Sequence, residues 1–492
     1  MKKILILLIT VIFSLQCFAI EDEDEHDKLY RPVKIYDGIN LDIIKCVGLA
    51  FQNSPKIRRA MYELNIAKSE TGIAKSQYFP VFNLGTGINF ERNTNSIYYD
   101  KKYRDLPSVR LQVNKLIWNF GKTTAHIKMH EFYKIASEYE FMDSLCETLF
   151  DIKQKYYNLL KAKALLNIAE NDVKINEKFV KIAHTKFDAD KNTAKINLSD
   201  AKIRYLEAKN NYNNAKTDLA NSMYIDNEPE YDIVNTKTFA YDTNYLYTNG
   251  KIKNGSFEPY VFPFEKDKAV EMAYETSPDL QVLVAIKDAM KESLKYAKKS
   301  YLPDLNINAG YQFNNTNFAS NNSFQTGVSL DADVNPMEVK YNISRANNEL
   351  NLAENEIKLF KKNLYYEVKR AFNNVEKAKN QVQESKNEIE IAYDNLVFVE
   401  KAYNSYGIDY TSLQDAREDY IGALNLYVGS LYDYNISLIQ VEMAMHYHLI
   451  DIHHKSEHAI KYHSKELEEH LNKVLECDRR EVGQTGNKRN KN

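Results

Sequence analysis

The chain has 492 residues, with 65 lysines and arginines against 68 aspartates and glutamates, for a formal net charge of −3 at pH 7. That balance excludes a nucleic-acid partner recognised through a basic surface. Past the N-terminus no stretch is apolar enough for a transmembrane helix, so an exported chain of this kind is soluble, surface-attached or inserted as β-strands.

Met1–Ala19 reads as a signal peptide. Lys2 and Lys3 give a positive start, Ile4–Leu15 is a short apolar run, and Cys17-Phe18-Ala19 ends in small residues suited to cleavage after Ala19. Cleavage removes two lysines and takes the net charge from −3 to −5. A lipoprotein acylated on Cys17 is the competing reading, disfavoured by Gln16 where a small residue is wanted. Residues 20–40 form an acidic lead-in, a tether or surface strap. The mature chain keeps Cys46, Cys146 and Cys477, an odd number in no metal-binding spacing; they read as incidental, although Cys46 and Cys146 could pair in an oxidising periplasm.

Residues 50–90 and 273–313 are one block written twice at a constant offset of 223. Ser54-Pro55 answers Ser277-Pro278, Tyr78-Phe79-Pro80 answers Tyr301-Leu302-Pro303, and Gly87 answers Gly310. The duplication predicts two copies of one unit. The first repeat spans 41–224, with strands at about 81–117 and helices at about 121–224. The second spans 263–455, with strands at about 304–334 and helices at about 338–455. Residues 225–262 read as a loosely structured linker, and 456–492 as a charged, disordered tail.

Each repeat opens on two short helices around Ser-Pro, and the second proline stops the second helix. Period-two alternation follows. Phe82, Leu84, Thr86, Ile88 and Phe90 share one face of a strand, as do Leu305, Ile307, Ala309, Tyr311 and Phe313. Return strands carry Val109, Leu111 and Val113, then Phe324, Thr326, Val328, Leu330, Ala332 and Val334. Their opposite faces are polar and include Asp331 and Asp333, which would face a lumen. The intervening loops are Arg92–Pro107 and Asn314–Ser323. A half-buried soluble sheet and a membrane barrel both fit this pattern. Four strands cannot close a barrel, because the smallest need about eight, so the barrel reading requires oligomerisation, with three chains giving twelve strands.

Lys122–Asp190 runs without Pro or Gly, on the order of 100 Å of helix. A turn near Asp188–Thr193 leads to a return helix, Ala194–Tyr224. In the second copy, Val368 to Tyr403 and Leu413 to Met445 alternate steps of three and four, coiled-coil seams joined by a turn at Gly407. Both turns lead into one phrase, Leu198-Ser199-Asp200-Ala201-Lys202 and Leu413-Gln414-Asp415-Ala416-Arg417. Asp200 and Asp415 fit exposed first-turn aspartates favoured by the helix dipole. If three chains surround an axis, Asp415 recurs as a ring of carboxylates that sets cation preference. Seven histidines crowd 446–470, and His454 and His458 share a helical face; without companion ligands they read as a solvated polar face. No nucleophile elbow, phosphate-cradling loop or zinc-protease helix occurs, and no cofactor or metal site is expected.

The twin Ser-Pro helices, the prolines at Pro80 and Pro303, the paired tips at Asp200 and Asp415 and the tip glycine Gly407 carry a resemblance to the TolC-type outer-membrane efflux protein family, over roughly 41–452. The resemblance implies a mixed α/β membrane protein: a homotrimer whose twelve-stranded β-barrel sits in outer-membrane lipid and continues as a periplasmic α-helical tube. It implies a passive exit duct, not an enzyme, serving tripartite efflux or type I secretion with a periplasmic adaptor and an inner-membrane pump or ABC transporter. The family's tip aspartates narrow the entrance. Asp415 matches one of them; the position three residues earlier holds Ser412 here, and Asn197 in the first copy, whose tip has Lys191-Asn192 in place of a glycine. The alternative is a periplasmic adaptor or coiled-coil structural protein, but adaptors carry one helical hairpin beside Gly- and Val-rich domains, and this chain has two hairpins and only 15 glycines.

Overall fold

The offset of 223 fixes the two short helices that open each repeat to the residue. The computed structural model describes residues 38–91, 104–183, 188–225, 230–233, 257, 259–262, 264–316, 319–405 and 407–446. In chain order the elements are β1 (Ile39–Leu41), α1 (Ile43–Asn53), α2 (Pro55–Ser76), β2 (Val81–Glu91), β3 (Arg104–Trp118), α3 (Lys122–Ala183) and α4 (Asp188–Ser222). Then come β4 (Tyr231–Ile233), α5 (Lys266–Thr276), α6 (Pro278–Lys299), β5 (Asp304–Thr316), β6 (Ala319–Asp331), α7 (Pro336–Asn404) and α8 (Tyr410–Met445). Both ends of α1 and α2 reappear 223 residues on as the ends of α5 and α6.

Local chemistry explains these boundaries. A residue before proline is pushed out of the helical region, and Ser54 and Ser277 take up ψ of 116° and 115°. Each closes its helix by donating its N–H to a carbonyl four residues back, Ala50 and Ala273. The Asp42 carboxylate accepts from the Lys45 N–H at 2.8 Å and caps α1. Asn335 caps α7 by accepting from the N–H groups of Met337 and Glu338, and Pro336 takes the first helical position, where its missing N–H costs nothing. Between β3 and α3 the backbone turns through two left-handed residues, Phe120 (φ 58°) and Gly121 (φ 81°).

The chain forms two compact units. One comprises residues 59–141 and 278–362, and its centre is a four-stranded antiparallel sheet in the order β2-β3-β5-β6. Register aligns the apolar positions into rows: Leu84, Leu111, Tyr311 and Phe324 in one, Phe82, Val113, Ala309 and Thr326 in the next. The other face carries Gly85, Arg110, Gln312 and Ser323 in one row, and Arg110 donates to Gln312 at 3.3 Å. The apolar face is bare: Phe82 and Val328 are each 69% exposed. Beside the sheet, Leu294 and Ala297 of α6 pack on Ala346, Ile343 and Leu350 of α7.

The other unit gathers the described parts of 1–58, 142–277 and 363–492. Its core is the coiled-coil seam, and every α8 seam position from Leu413 to Met445 is buried. On α7, Val368, Ala371, Val375, Ala378, Val382, Ser385 and Ile389 are buried. The Ser385 and Ser430 hydroxyls meet at 2.8 Å between the two helices. On α3, Ile152, Tyr156 and Leu159 are buried, and Lys153 forms a buried ion pair with Glu442 of α8 at 2.7 Å.

Several sequence expectations need correction. β6 stops at Asp331, so Ala332, Asp333 and Val334 lie past the strand. The β5–β6 ladder continues through Thr316 paired with Ala319, well into the segment read as a loop, because backbone pairing does not require apolar side chains. α8 ends at Met445 rather than near 455, closed by His446 in a left-handed cap (φ 47°), and burial pushes the His446 imidazole down to about 4. The linker is partly anchored. β4 pairs in parallel with β1, Tyr260 N–H donates to Tyr434 Oη at 2.8 Å, and the Phe257 ring stands edge-on to Tyr434. Cys46 and Cys146 form no disulfide; burial, with Asp42 nearby, pushes the Cys46 thiol up to about 12. The signal peptide, most of the acidic lead-in, Cys477 and the histidines from His448 onward lie outside the described residues. Among the described residues no helix is long and apolar enough to cross a membrane.

Candidate functional site at the helical tip

The end of α3, the start of α4, the end of α7 and the start of α8 meet in one apolar cluster. Ala194, Tyr403, Tyr410 and Leu413 are buried in it, and Phe179, Val180, Leu396, Val399 and Ile408 pack around them. The Tyr403 and Tyr410 rings lie 6.1 Å apart, edge to face. This packing fixes the turn between α7 and α8 whatever its backbone prefers. Gly407 donates its N–H to Ala402 O at 3.0 Å, but its φ lies outside the left-handed region, and a Cβ there would sit 3.4 Å from that oxygen. Glycine is therefore not sterically obligatory at this turn.

Asp409, which sequence reasoning passed over, caps α8. Its carboxylate accepts from the Ser412 N–H at 3.1 Å and the Ser412 hydroxyl at 2.5 Å. These two donors hold the Asp409 carboxyl below the usual carboxylate range. Ser412 is thus committed to the cap. Asp415 is the sixth residue of α8 and is exposed beside the buried Gln414 and Ala416. Asp200 is also exposed, but α4 begins at Asp188, so Asp200 is its thirteenth residue and not a first-turn aspartate. No glycine or proline stops the helix before Ala194, so it starts earlier than the sequence phrase suggested. Asn197 lies half-buried three residues before Asp200, its Nδ2 buried without a hydrogen-bond partner among the described residues.

Two residues beyond Asp415, Arg417 turns inward. Its guanidinium donates to Asp172 Oδ1 at 2.7 Å, to the Asp172 carbonyl at 3.2 Å and to Asn176 Oδ1 at 2.9 Å. Its Cζ lies 5.1 Å from the centre of the Phe179 ring. Asp172 also accepts from Arg204 of α4 at 3.0 Å through its other oxygen. Asp172 and Arg417 are each 4% exposed. One carboxylate thus ties α3, α4 and α8 together, every contact charge-assisted. The only sequence signal was the basic residue after each Asp-Ala, Lys202 and Arg417.

In the sheet unit, Asp331 lies on the polar face and accepts from Ser329 Oγ at 2.7 Å and Asn306 Nδ2 at 3.1 Å. Asp333 is exposed beyond the strand end and shares no strand face with it.

A family model described as outer membrane efflux protein matches residues 46–223 and 269–445. Among solved structures the fold is similar to the CmeC outer membrane channel of Campylobacter jejuni, at 17% identity over 82% of this chain and 85% of that one, with a TM-score of 0.66. It is similar also to the outer membrane protein VceC of Vibrio cholerae (12% identity, 82% and 95% covered, TM-score 0.67). A third likeness is to the open state of the MtrE outer membrane channel of Neisseria gonorrhoeae (12% identity, 85% and 94% covered, TM-score 0.67). At these identities the likeness is one of fold. No curated protein matches the chain.

Proposed function

Because the chain belongs to the outer membrane efflux protein family, we propose that three copies form the outer-membrane exit duct of a tripartite efflux or type I secretion system. The observation that carries this reading is the sheet. It has four strands, bare apolar side chains on one face and polar ones on the other. Its two outer strands, β2 and β6, each have a partner on one side only among the described residues. Open edges are a liability that closure removes. Three such sheets joined edge to edge make twelve strands, enough for a membrane barrel with its apolar face to lipid. Arg110, Gln312 and Asp331 then line the lumen, with Asp333 just below the strand. Each repeat, 41–224 and 263–455, contributes one strand hairpin and one helical hairpin to the duct.

At the periplasmic tip, three exposed Asp415 carboxylates around the axis attract cations, with Asp200 more than three helical turns into α4. The buried Asp172–Arg417 clamp holds the hairpins in the closed arrangement, and Gly407, Asp409 and Ser412 shape the turn. Energy and substrate selection come from an inner-membrane pump or ABC transporter joined through a periplasmic adaptor. Reconstitution in planar bilayers tests this reading: purified protein conducts cations in preference to anions, and Asp415→Asn weakens the preference. A protein that never conducts contradicts the duct.

A further inference from the structure

Strand β3 changes register once against β5. Arg110, Gln112 and Asn114 stand opposite Gln312, Gly310 and Asn308 on the polar face, and Leu116 continues that row opposite Asn306. Plain alternation would put Trp118 on the polar face as well. A bulge leaves Ile117 without an opposite residue, and the next pair is Trp118 with Leu305. Opposed residues share a face, and Leu305 belongs to the apolar one, beside Leu330 of β6. The bulge thus turns Trp118 onto the apolar face, where it is 57% exposed. Two residues on, Phe120 holds φ at 58°, a region that bulky side chains avoid. Its exposed ring stands 6.2 Å from the Trp118 ring, edge to face. Two cations flank the pair. Lys115 is exposed one row up the apolar face, opposite Ile307. Lys299 Nζ lies beside Gly121, 3.0 Å from where a Cβ on that glycine would stand.

We propose that this patch docks on the glycerophospholipids of the leaflet nearest the helices, with the Trp118 and Phe120 rings at the boundary between headgroups and acyl chains and the two lysines on the phosphates. The inference rests on the reading of the sheet as a barrel segment. Tryptophan is amphipathic and favoured at that boundary. A lysine facing lipid costs about 2–4 kcal/mol at the midplane and about 0–1 near the interface. Lys115 therefore fits the apolar face only close to a boundary, its stem along the acyl chains and its ammonium among headgroups. Counted back from Trp118, the roughly 9–11 residues of a transmembrane strand take in Val113, Leu111 and Val109. A second copy does not cover the patch: copies joined through β2 and β6 meet at strand edges, and β3 is an inner strand. The patch belongs to the first repeat alone, because β6 pairs with β5 without a register shift and ends on Leu330 and Asp331.

Trp118 is the only tryptophan in the chain, so intrinsic fluorescence reads this site alone. The experiment reconstitutes the full chain in phosphatidylcholine vesicles brominated either near the top of the acyl chains or near their ends. Shallow bromines are expected to quench Trp118 more than deep ones. Stronger quenching by deep bromines, or quenching by neither, overturns the proposal. A second chain, Trp118→Phe with Leu84→Trp, moves the probe three rows further into the apolar face. Deep bromines quenching that probe while neither set quenches Trp118 would leave the barrel standing and remove the patch. Quenching of neither probe contradicts both. Should the variant not fold, the depth of Trp118 in the parent protein still decides.

Discussion

At the scale of single residues, the tip is held by charges that differ sharply in burial. Arg417→Ala leaves Asp172 in the interior with Arg204 as its remaining cationic partner, and breaking a buried pair costs about 3–5 kcal/mol. Thermal unfolding should fall well below the parent protein, and conductance of the closed channel should rise; a variant equal to the parent in both removes the clamp from the account. Asp415→Ala should behave differently. The side chain is exposed, so stability should stay within about 0.5 kcal/mol, while passive leakage rises; unchanged single-channel conductance removes Asp415 from the entrance. Asp409 gives a pH-dependent prediction. Its folded-state pKa is depressed by the Ser412 donors, so its contribution is complete above the ordinary carboxylate range and is lost as pH falls through the depressed value. Hydrogen exchange of the Ser412 amide should speed up in that acid window, and Asp409→Asn, which keeps an accepting oxygen, should abolish the dependence. Of these residues only Asp415 and Ser412 were legible as tip positions in the sequence. Arg417 and Asp172 are 245 residues apart, and no local pattern announces a contact of that span.

At the scale of elements, periodic features were legible and short or side-chain-independent ones were not. The period-two strands and the three-four seams leave a trace at every turn of the chain, and on α8 every seam position from Leu413 to Met445 is buried as the pattern requires. The strands β1 and β4 have three residues each, too few to show any period. The β5–β6 ladder runs on through Asn314, Asn315 and Thr316 because its hydrogen bonds are between backbone groups. The first tip was misplaced because nothing between Asp188 and Ala194 stops a helix, and propensity alone cannot locate such a start. Strand facing has a direct check. Leu84 and Ile307 lie on the bare apolar face, and a cation there costs about 2–4 kcal/mol near the bilayer midplane. Leu84→Arg with Ile307→Arg should keep the protein out of the outer membrane, as fractionation reads it; normal insertion would place the polar face outward instead.

At the scale of the whole molecule, duplication supplies the reason for the proposed assembly. Two repeats give one chain a four-stranded antiparallel sheet and two helical hairpins. Four strands with a bare apolar face are half of the smallest closed membrane barrel and a third of a twelve-stranded one. The sequence made this incompleteness visible through the offset of 223, and the register of the sheet adds that all four apolar faces point the same way. In the proposed duct the strands that close the sheet come from other copies, and a single chain's pattern therefore left soluble sheet and barrel both open. The most direct measurement is the mass of the mature chain extracted from outer membranes in detergent. Three chains per particle is the predicted result. A monomer or dimer released without detergent would contradict the trimeric duct.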